Sequence, residues 1–333
     1  MKVTVLGSGG WGTALAMVLA ENGHAVTLWS FLEEESRTLL ETGKNPLLPE
    51  VKLPGGIAYT WDLACVQGAE VVVVATPSFG VRSTAEQIKG YLTPDMTLVS
   101  VSKGIEKGTS LRLTQVIQEV TGGICPVVAL SGPSHAEEVA RRVPTAVVSA
   151  CPDRAAAERI QDLFLNERFR VYSSSDIVGV ELGAALKNVM ALCSGVVTGM
   201  GYGDNTKAML MTRGLTEIAR LGVALGGRKD TFAGLAGMGD LIVTCTSLNS
   251  RNYRAGILIG QGCPIREAIE KIGAVVEGYY AVDSARELAQ TVGVEMPITQ
   301  AAYQVLYEGR KPEEVLKELM KRKKGHEIEE GWL

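Results

Sequence analysis

The chain has 333 residues, of which 46% are hydrophobic, and its 33 basic and 37 acidic side chains give a formal net charge of −4. This length predicts about two domains, and the lack of a basic excess argues against a nucleic-acid-binding protein. The six cysteines are dispersed without a C-x-x-C pair, and there are only three histidines, so we expect reduced thiols and no metal site. The start of the chain leads directly into a predicted strand, without a targeting segment, and we expect a cytoplasmic protein.

A glycine-rich turn is the most informative feature of the N-terminus. The apolar run Val3–Leu6 leads into Gly7-Ser8-Gly9-Gly10-Trp11-Gly12, and a helical pattern starts at Thr13. In a G-x-G-x-x-G turn between a strand and a helix, the first glycine allows the tight turn and the second lets a pyrophosphate approach. The third glycine lets the helix pack on the strand. The turn therefore predicts a dinucleotide site at the start of the first helix, where free N–H groups bind phosphates.

Short runs rich in Val, Ile and Leu then alternate with helical stretches. This alternation predicts a doubly wound α/β domain with a parallel sheet covered by helices on both faces. The predicted strands are Val3–Leu6, Ala25–Trp29, Val71–Ala75, Thr97–Ser100, Val127–Leu130, Ala146–Ser149 and Phe169–Tyr172. The predicted helices are Thr13–Asn22, Glu33–Glu41, Val81–Lys89, Ser110–Val120, His135–Arg141 and Arg154–Leu165. The proline- and glycine-containing residues 46–56 are interpreted as an irregular connection.

After about residue 177 the strand pattern stops and only helical periodicity remains. We therefore predict a dinucleotide-binding domain over residues 1–176 and an all-α substrate-binding and catalytic domain over 177–333. The helices predicted for the second domain are Ile177–Met200, Lys207–Leu225, Ile265–Ile272, Tyr279–Val292, Ile298–Tyr307 and Pro312–Lys321. The charged end of the chain, which starts at Lys321, is assigned no function.

The first of these helices, Ile177–Met200, is long enough to cross a bilayer. Glu181 and Lys187 lie near its centre and no aromatic belt flanks it, so we predict a buried core helix and no integral membrane segment. The apolar helices of this half also offer surfaces for self-association, and a homodimer is the expected assembly.

Polar residues follow several of the predicted strands, where ligands of open α/β sheets bind. Lys103 lies between a strand end and Gly104 and is placed to offer a positive charge to an anionic or carbonyl-bearing ligand; a surface lysine in a turn is the alternative. The segment Ser131-Gly132-Pro133-Ser134 follows another strand. It is interpreted as a ligand-binding turn, as the N-cap of the next helix, or as both.

Lys187 is unusual because its neighbours on the helix face are small or apolar. These neighbours are Val180, Gly183, Met190, Ala191 and Ser194. Glu181 lies six positions away, which is too far round the helix for an i,i+4 ion pair. The lysine must therefore extend to solvent, which is the commoner outcome, or find a partner elsewhere in the fold. In the second case burial lowers its pKa toward neutrality, where it can exchange a proton with a substrate oxygen.

A second polar cluster follows in Gly237-Met238-Gly239-Asp240, Thr244-Cys245-Thr246-Ser247 and Ser250-Arg251-Asn252. Glycines beside Asp240 allow close approach of another group, and the arginine with its polar neighbours has the chemistry of a phosphate site. A helix N-terminus with a serine N-cap has the same pattern. Both interpretations of Ser250 remain open from the residues alone.

Together these motifs resemble the bacterial NAD(P)-dependent sn-glycerol-3-phosphate dehydrogenases. The matching blocks run in family order as Gly7-x-Gly9-x-Trp11-Gly12-Thr13-Ala14-Leu15, Ser102-Lys103-Gly104-Ile105-Glu106, Leu130-Ser131-Gly132-Pro133-Ser134-His135-Ala136, Leu186-Lys187-Asn188, Gly237-Met238-Gly239-Asp240-Leu241, Ser250-Arg251-Asn252 and Val276-Glu277-Gly278. The resemblance implies reversible reduction of dihydroxyacetone phosphate to sn-glycerol 3-phosphate, which supplies phospholipid synthesis. It also implies a Rossmann domain followed by a helical domain that resembles the C-terminal domain of 6-phosphogluconate dehydrogenase.

The resemblance also assigns roles to residues. It implies that Lys187 is the proton donor and acceptor and that Lys103 contacts both substrate and cofactor. The substrate contacts that it implies are Lys103, Gly132, Ser134, Lys187, Asp240, Ser250, Arg251 and Asn252. The cofactor contacts that it implies are Gly7, Gly9, Gly10, Trp11, Gly12, Ser30, Phe31, Lys103, Ala136, Arg251, Val275 and Glu277.

The chain departs from the family after the second strand, where it reads Leu28-Trp29-Ser30-Phe31-Leu32-Glu33-Glu34-Glu35. Relatives commonly have a basic residue near Ser30 or Phe31, which can meet the 2′-phosphate of NADP. Here the three glutamates would repel that phosphate, whereas the acidic residue that holds the NAD ribose is missing at Ser30 unless Glu33 reaches back. Either NAD or NADP is expected as cofactor, and NAD is favoured.

Two other functions fit parts of the pattern. A related β-hydroxyacid dehydrogenase that acts on a carboxylate substrate would share the fold and a catalytic lysine, but Asp240 and the Ser250-Arg251-Asn252 block speak against it. A non-catalytic sensor of NAD(H) would need no proton donor at Lys187.

Overall fold

An eight-stranded sheet forms the first half of the protein. The computed structural model describes residues 1–324, and its strands lie in the order β3-β2-β1-β4-β5-β6-β7-β8. Their bounds are β1 Lys2–Leu6, β2 Ala25–Trp29, β3 Ile57–Thr60, β4 Val71–Val74, β5 Thr97–Ser100, β6 Val127–Ser131, β7 Thr145–Ala150 and β8 Phe169–Ser174. Strands β1 to β6 are mutually parallel, with β1 between β2 and β4. The winding direction changes at β1, and a ligand crevice is expected at the carboxyl ends of β1 and β4.

Helices cover both faces of this sheet, which confirms the doubly wound architecture. They are α1 Gly10–Glu21, α2 Glu33–Thr42, α3 Val81–Ile88, α4 Leu113–Thr121, α5 Ala136–Ala140 and α6 Arg154–Phe164. Because side chains alternate across a strand, neighbouring strand residues belong to different cores. Val5 packs in the core beneath α1 and α6, whereas Leu6 packs in the core beneath α3 and α4.

Two features of the sheet differ from the sequence prediction. Residues 57–60 form the edge strand β3, although residues 46–56 before it are irregular as predicted; a four-residue strand that is only partly buried gives little pattern. Strand β7 runs antiparallel to β6, and β8 follows β7. The five-residue helix α5 rises only about 7 Å, which is too short to carry the chain back to the opposite end of the sheet.

The second half is helical throughout its described part, which ends at residue 324; residues 325–333 of the predicted domain lie outside the described residues. Its helices are α7 Ile177–Gly199, α8 Asp204–Ala224, α9 Lys229–Phe232, α10 Asp240–Thr246, α11 Arg251–Gly260, α12 Ile265–Ile272, α13 Glu277–Thr291, α14 Pro297–Leu306 and α15 Pro312–Met320. The short helices α9 to α11 were not predicted. Helix α7 is central, since α8, α10, α11, α13 and α14 all pack on it.

Helix α7 is the one described helix that alone is long and apolar enough to cross a membrane, and most of its residues are buried in the protein. A pair formed by residues 229–246 and 251–260 passes the same test only as one span bent by 48°. The burial of α7 confirms its interpretation as a core helix.

Helices α7 and α11 cross with their backbones in contact. A Cβ at Gly195 would lie 2.1 Å from the carbonyl oxygen of Tyr253, and a Cβ at Gly256 would lie 2.1 Å from that of Leu192. We expect Gly195→Ala to destabilise the protein by about 3 kcal/mol or more, because the added methyl meets backbone and the helices must separate. Thermal unfolding of this variant measures the effect.

The matched control for that substitution is Gly203→Ala, where an added Cβ meets no atom within 4 Å. The control should unfold close to the wild-type temperature. Equal unfolding temperatures for the two alanine variants would contradict the tight helix crossing.

Candidate active site

The glycine-rich turn lies between β1 and α1, as predicted. Gly7 has φ +121°, and a Cβ at Gly12 would lie 2.0 Å from the Gly7 carbonyl oxygen. These two glycines are therefore required by the turn itself. Nothing lies within 4 Å of a Cβ position at Gly9, the residue before α1, so a pyrophosphate can approach the backbone there. Ala136 packs near this turn, since its Cβ is 3.5 Å from a Cβ position at Gly10.

Several buried polar atoms lie unpartnered along the same edge of the sheet. Among the described residues these atoms include Trp11 Nε1 beside the turn and the hydroxyls of Ser30, Thr76, Ser100 and Ser131, at the carboxyl ends of β2, β4, β5 and β6. Buried polar groups are normally hydrogen-bonded. Their concentration here, together with the glycine cradle, fits a site for a polar ligand.

Lys187 is buried within the helical half and does not extend to solvent. Its side chain is 6% exposed, and its Nζ donates to Asp240 Oδ1 at 2.6 Å and to Thr244 Oγ1 at 2.6 Å. The partner thus comes from elsewhere in the fold, which is the less common of the two outcomes considered from sequence. Glu181 is engaged separately by Arg112 and Thr114 of the first domain, so it does not neutralise Lys187.

A second lysine reaches the same carboxylate from the sheet domain. Lys103 Nζ donates to Asp240 Oδ2 at 2.7 Å and to the carbonyl oxygen of Gly132 at 3.1 Å. Lys103 is therefore not a simple surface lysine. Asp240 joins two ammonium groups, one from each half of the chain.

Burial and charge together set the protonation of this cluster. The pKa of Lys187 is lowered to about 8, because burial and the nearby Lys103 together outweigh the opposing effect of Asp240. Burial works to raise the pKa of Asp240, but the two lysines outweigh this effect and hold that pKa below its ordinary value. Asp240 therefore stays ionised while Lys187 titrates near the operating pH of an enzyme, as a general acid and base requires.

The local chain geometry explains how Asp240 reaches Lys187. Asp240 is the first residue of α10 and follows a wide helical turn, Leu235–Gly239. This turn packs closely on α7, because a Cβ at Gly183 would lie 2.7 Å from the Ala236 carbonyl oxygen. Thr244 lies one turn after Asp240 on the same face and was not predicted as a site residue; its spacing from Asp240 was the available signal.

The Ser250-Arg251-Asn252 segment begins α11. Ser250 is the N-cap, and its Oγ accepts from the Tyr253 backbone N–H at 3.2 Å. Asn252 is buried and bridges two other elements, donating to Asn188 Oδ1 at 3.0 Å and accepting from the Gly278 N–H at 2.8 Å. The structure thus supports the N-cap interpretation of Ser250, while Arg251 is exposed at the same helix start.

The predicted contacts after β6 form a tight turn. Gly132 has φ +156°, and Ser134 Oγ donates to the Gly132 carbonyl oxygen at 2.9 Å. The N-cap interpretation of this serine segment is wrong, because His135 precedes α5 and makes no side-chain cap. The Gly132 carbonyl instead accepts from both Ser134 and Lys103, which ties the turn to the charged cluster.

Glu277 makes a second connection between the two halves. Its carboxylate accepts from Ser78 Oγ at 2.7 Å and from the Ser78 N–H at 3.3 Å. Burial raises the pKa of Glu277, and these bonds and Arg251 oppose the rise. Val275 lies two residues before it and is partly buried.

Directly after β2, Ser30 is buried and Phe31 is 74% exposed. Glu33 does not reach back to this position. Its carboxylate accepts instead from Arg37 of the next helical turn, at 2.9 Å from Nε. This Glu33–Arg37 pair is exposed, and a ribose-binding role for Glu33 stays a prediction.

A dinucleotide cradle in the same chain as a buried lysine of lowered pKa is typical of an oxidoreductase that transfers hydride and a proton. Comparison with known proteins specifies the family. Residues 2–157 match the family described as NAD-dependent glycerol-3-phosphate dehydrogenase N-terminus, and residues 176–317 match the corresponding C-terminus. The chain belongs to this family and is an NAD(P)-dependent enzyme.

Relatives match over nearly their full lengths. The chain is 53% identical to the glycerol-3-phosphate dehydrogenase [NAD(P)+] of Moorella thermoacetica, over 99% of this chain and 98% of the relative. It is 51% identical to that of Geobacillus kaustophilus, over 99% and 97%. The crystal structure of the Coxiella burnetii glycerol-3-phosphate dehydrogenase superposes with a TM-score of 0.92 at 37% identity, covering 96% of this chain and 99% of that one.

Proposed function

We propose that this protein interconverts dihydroxyacetone phosphate and sn-glycerol 3-phosphate with Lys187 as the proton donor and acceptor. The observation that carries the proposal is the buried Lys187–Asp240–Lys103 cluster, which has a pKa of about 8 at Lys187. A bound nicotinamide supplies or accepts the hydride at the substrate carbon. Lys187 gives its proton to the ketone oxygen during reduction and takes it back during oxidation.

The other residues of the cluster prepare Lys187 for this step. Asp240 orients the Lys187 ammonium through a 2.6 Å hydrogen bond, and its negative charge keeps enough of the lysine protonated to act as an acid. Lys103 supplies a second positive charge beside the place where negative charge develops on the substrate. The roles of Gly132, Ser134, Ser250, Arg251 and Asn252 as substrate contacts belong to this proposal, with the exposed Arg251 as the phosphate-binding side chain.

The dinucleotide is proposed to lie along the carboxyl edge of the sheet. Gly7, Gly9, Gly10, Trp11 and Gly12 would hold its pyrophosphate. The remaining proposed contacts are Ser30, Phe31, Lys103, Ala136, Arg251, Val275 and Glu277. In this scheme residues 1–176 form the dinucleotide domain and residues 177–333 form the substrate domain, with chemistry at the contact between Lys103 and Asp240.

The wider role follows from the reaction. An enzyme of this kind supplies glycerol 3-phosphate for phospholipid synthesis, and we place it in the cytoplasm as a homodimer. The helical half is the proposed site of self-association.

Absorbance of NADH and NADPH after addition of dihydroxyacetone phosphate tests substrate, reaction and coenzyme together. The proposal predicts substrate-dependent oxidation of reduced coenzyme and production of sn-glycerol 3-phosphate. Turnover of 3-hydroxyisobutyrate or 6-phosphogluconate without turnover of dihydroxyacetone phosphate would instead favour a β-hydroxyacid dehydrogenase. NADH binding without any such oxidation would favour a redox sensor.

A further inference from the structure

A carboxylate of helix α2 lies against the dinucleotide turn. Glu35 Oε2 accepts from Ser8 Oγ at 3.2 Å, and Ser8 stands between Gly7 and Gly9. On the other side of the same residue, Asn45 Nδ2 donates to the Ser8 carbonyl oxygen at 2.9 Å. Ser8 is thus hydrogen-bonded through both its side chain and its backbone carbonyl, and one of the two partners, Glu35, carries a full negative charge.

The end of β2 usually carries the acidic residue that binds the ribose of NAD, but this chain has a serine there. The end of β2 holds Ser30, whose buried hydroxyl has no partner among the described residues. A neutral hydroxyl can bond to a ribose but cannot repel a phosphate group. Repulsion of a 2′-phosphate must therefore come from charges on neighbouring elements.

The first three residues of α2 are glutamates, and their carboxylates make different contacts. Glu33 is paired with Arg37, whose guanidinium also lies 5.4 Å from the centre of the Trp61 ring. Glu34 and Glu35 are both exposed, and the backbone carbonyl of Glu34 accepts from Thr38 Oγ1. Of the three carboxylates, Glu35 is the one in contact with the glycine-rich turn.

We infer that Glu35 selects NAD over NADP in this protein by accepting a hydrogen bond from the adenosine ribose and repelling a 2′-phosphate. The inference rests on the proposed dinucleotide site. A carboxylate has lone pairs for several donors, so it can bond to both Ser8 and a ribose hydroxyl. A 2′-phosphate brings up to about two negative charges into the same space and meets only repulsion from Glu35.

Equilibrium binding of NADH and NADPH, followed by nicotinamide fluorescence, tests this inference without relying on turnover. The wild-type protein should bind NADH at least about tenfold more tightly than NADPH. Glu35→Gln should weaken NADH and strengthen NADPH, and so lower that ratio by about tenfold. The matched control Glu34→Gln removes the same charge one residue away and should leave the ratio unchanged.

The dependence of NADPH affinity on ionic strength is an independent test of the inference. Repulsion between Glu35 and a 2′-phosphate is screened at high ionic strength, so wild-type affinity for NADPH should rise with salt relative to that of Glu35→Gln. A purely structural role for Glu35 in holding Ser8 would weaken both coenzymes alike and show no such difference.

The possible outcomes separate the inference from the proposed function. An unchanged ratio in Glu35→Gln, or equal weakening of both coenzymes, would overturn the inference alone. A wild-type preference for NADPH that is lost in Arg37→Gln would also overturn the inference, because Arg37 would then be the residue that binds the 2′-phosphate. Failure to bind either coenzyme would overturn the proposed dinucleotide site itself. If the NADH-to-NADPH affinity ratios are as expected but dihydroxyacetone phosphate is not turned over, the inference stands and only the proposed reaction is refuted.

Discussion

Replacing Lys187 with methionine is expected to lower kcat for dihydroxyacetone phosphate reduction by roughly 10²- to 10⁴-fold, the range that positioned acid–base groups contribute. Methionine retains most of the side-chain length but cannot donate a proton or stabilise negative charge on the substrate oxygen. Asp240 keeps Lys103 as a partner at 2.7 Å, so no buried charge is left unpaired. The loss should therefore appear in kcat, while NADH binding and the unfolding temperature stay near their wild-type values.

Lys271→Met is the matched control for this prediction. Lys271 lies on α12 and is exposed, with an i,i+4 ion pair to Glu267. Its replacement should leave kcat unchanged. Wild-type kcat in Lys187→Met would remove Lys187 from the chemistry, and simultaneous loss of NADH binding would show that the substitution had damaged the fold instead.

Replacing Asp240 with asparagine is expected to shift the pH profile of the enzyme as well as reduce its rate. The Asp240 charge raises the pKa of Lys187, whereas burial and Lys103 lower it to about 8. Without that charge the pKa of Lys187 falls below about 8. Reduction needs protonated Lys187, so kcat/KM should decline with rising pH from a lower pH in Asp240→Asn than in the wild type. Oxidation needs the neutral amine, and its rate should reach a plateau at a lower pH in the variant.

The rate loss at the optimum should also be large, because two ammonium groups would then face each other without an intervening carboxylate. Asp204→Asn is the control, since Asp204 is an exposed residue paired with Lys207 at 2.7 Å. Its pH profile should match that of the wild type. A profile in Asp240→Asn displaced to higher pH, or not displaced, would contradict the electrostatic role of Asp240.

Much of the fold could be predicted from sequence because strand and helix periodicities are local. Strands β2 and β5 lie at the predicted residues, and helix α12 has the predicted bounds. The direction of β7 could not be predicted, because it depends on how far the chain travels after β6. Helices α10 and α11 were missed because their glycine- and serine-rich boundaries mask a short helical pattern; tertiary packing on α7 stabilises both.

The contacts of the candidate site were also out of reach of sequence patterns, because they join residues far apart in the chain. The sequence marks Lys187 as unusual and places Asp240 in a polar cluster, but their pairing joins residues 53 positions apart. The packing of α10 and of the turn before Asp240 against α7 brings them together. Likewise, three successive glutamates look equivalent in sequence, and the structure distinguishes Glu35 by its contact with Ser8.

The most direct test of the catalytic cluster is the pKa of Lys187 itself. Nuclear magnetic resonance titration of protein labelled with ¹³C at lysine Cε, with the signal assigned by its absence in Lys187→Met, measures this value. The structure predicts titration near pH 8. Titration of Lys187 at its ordinary value of 10.5 would contradict the account, because the residue would then be a permanent cation that cannot return its proton.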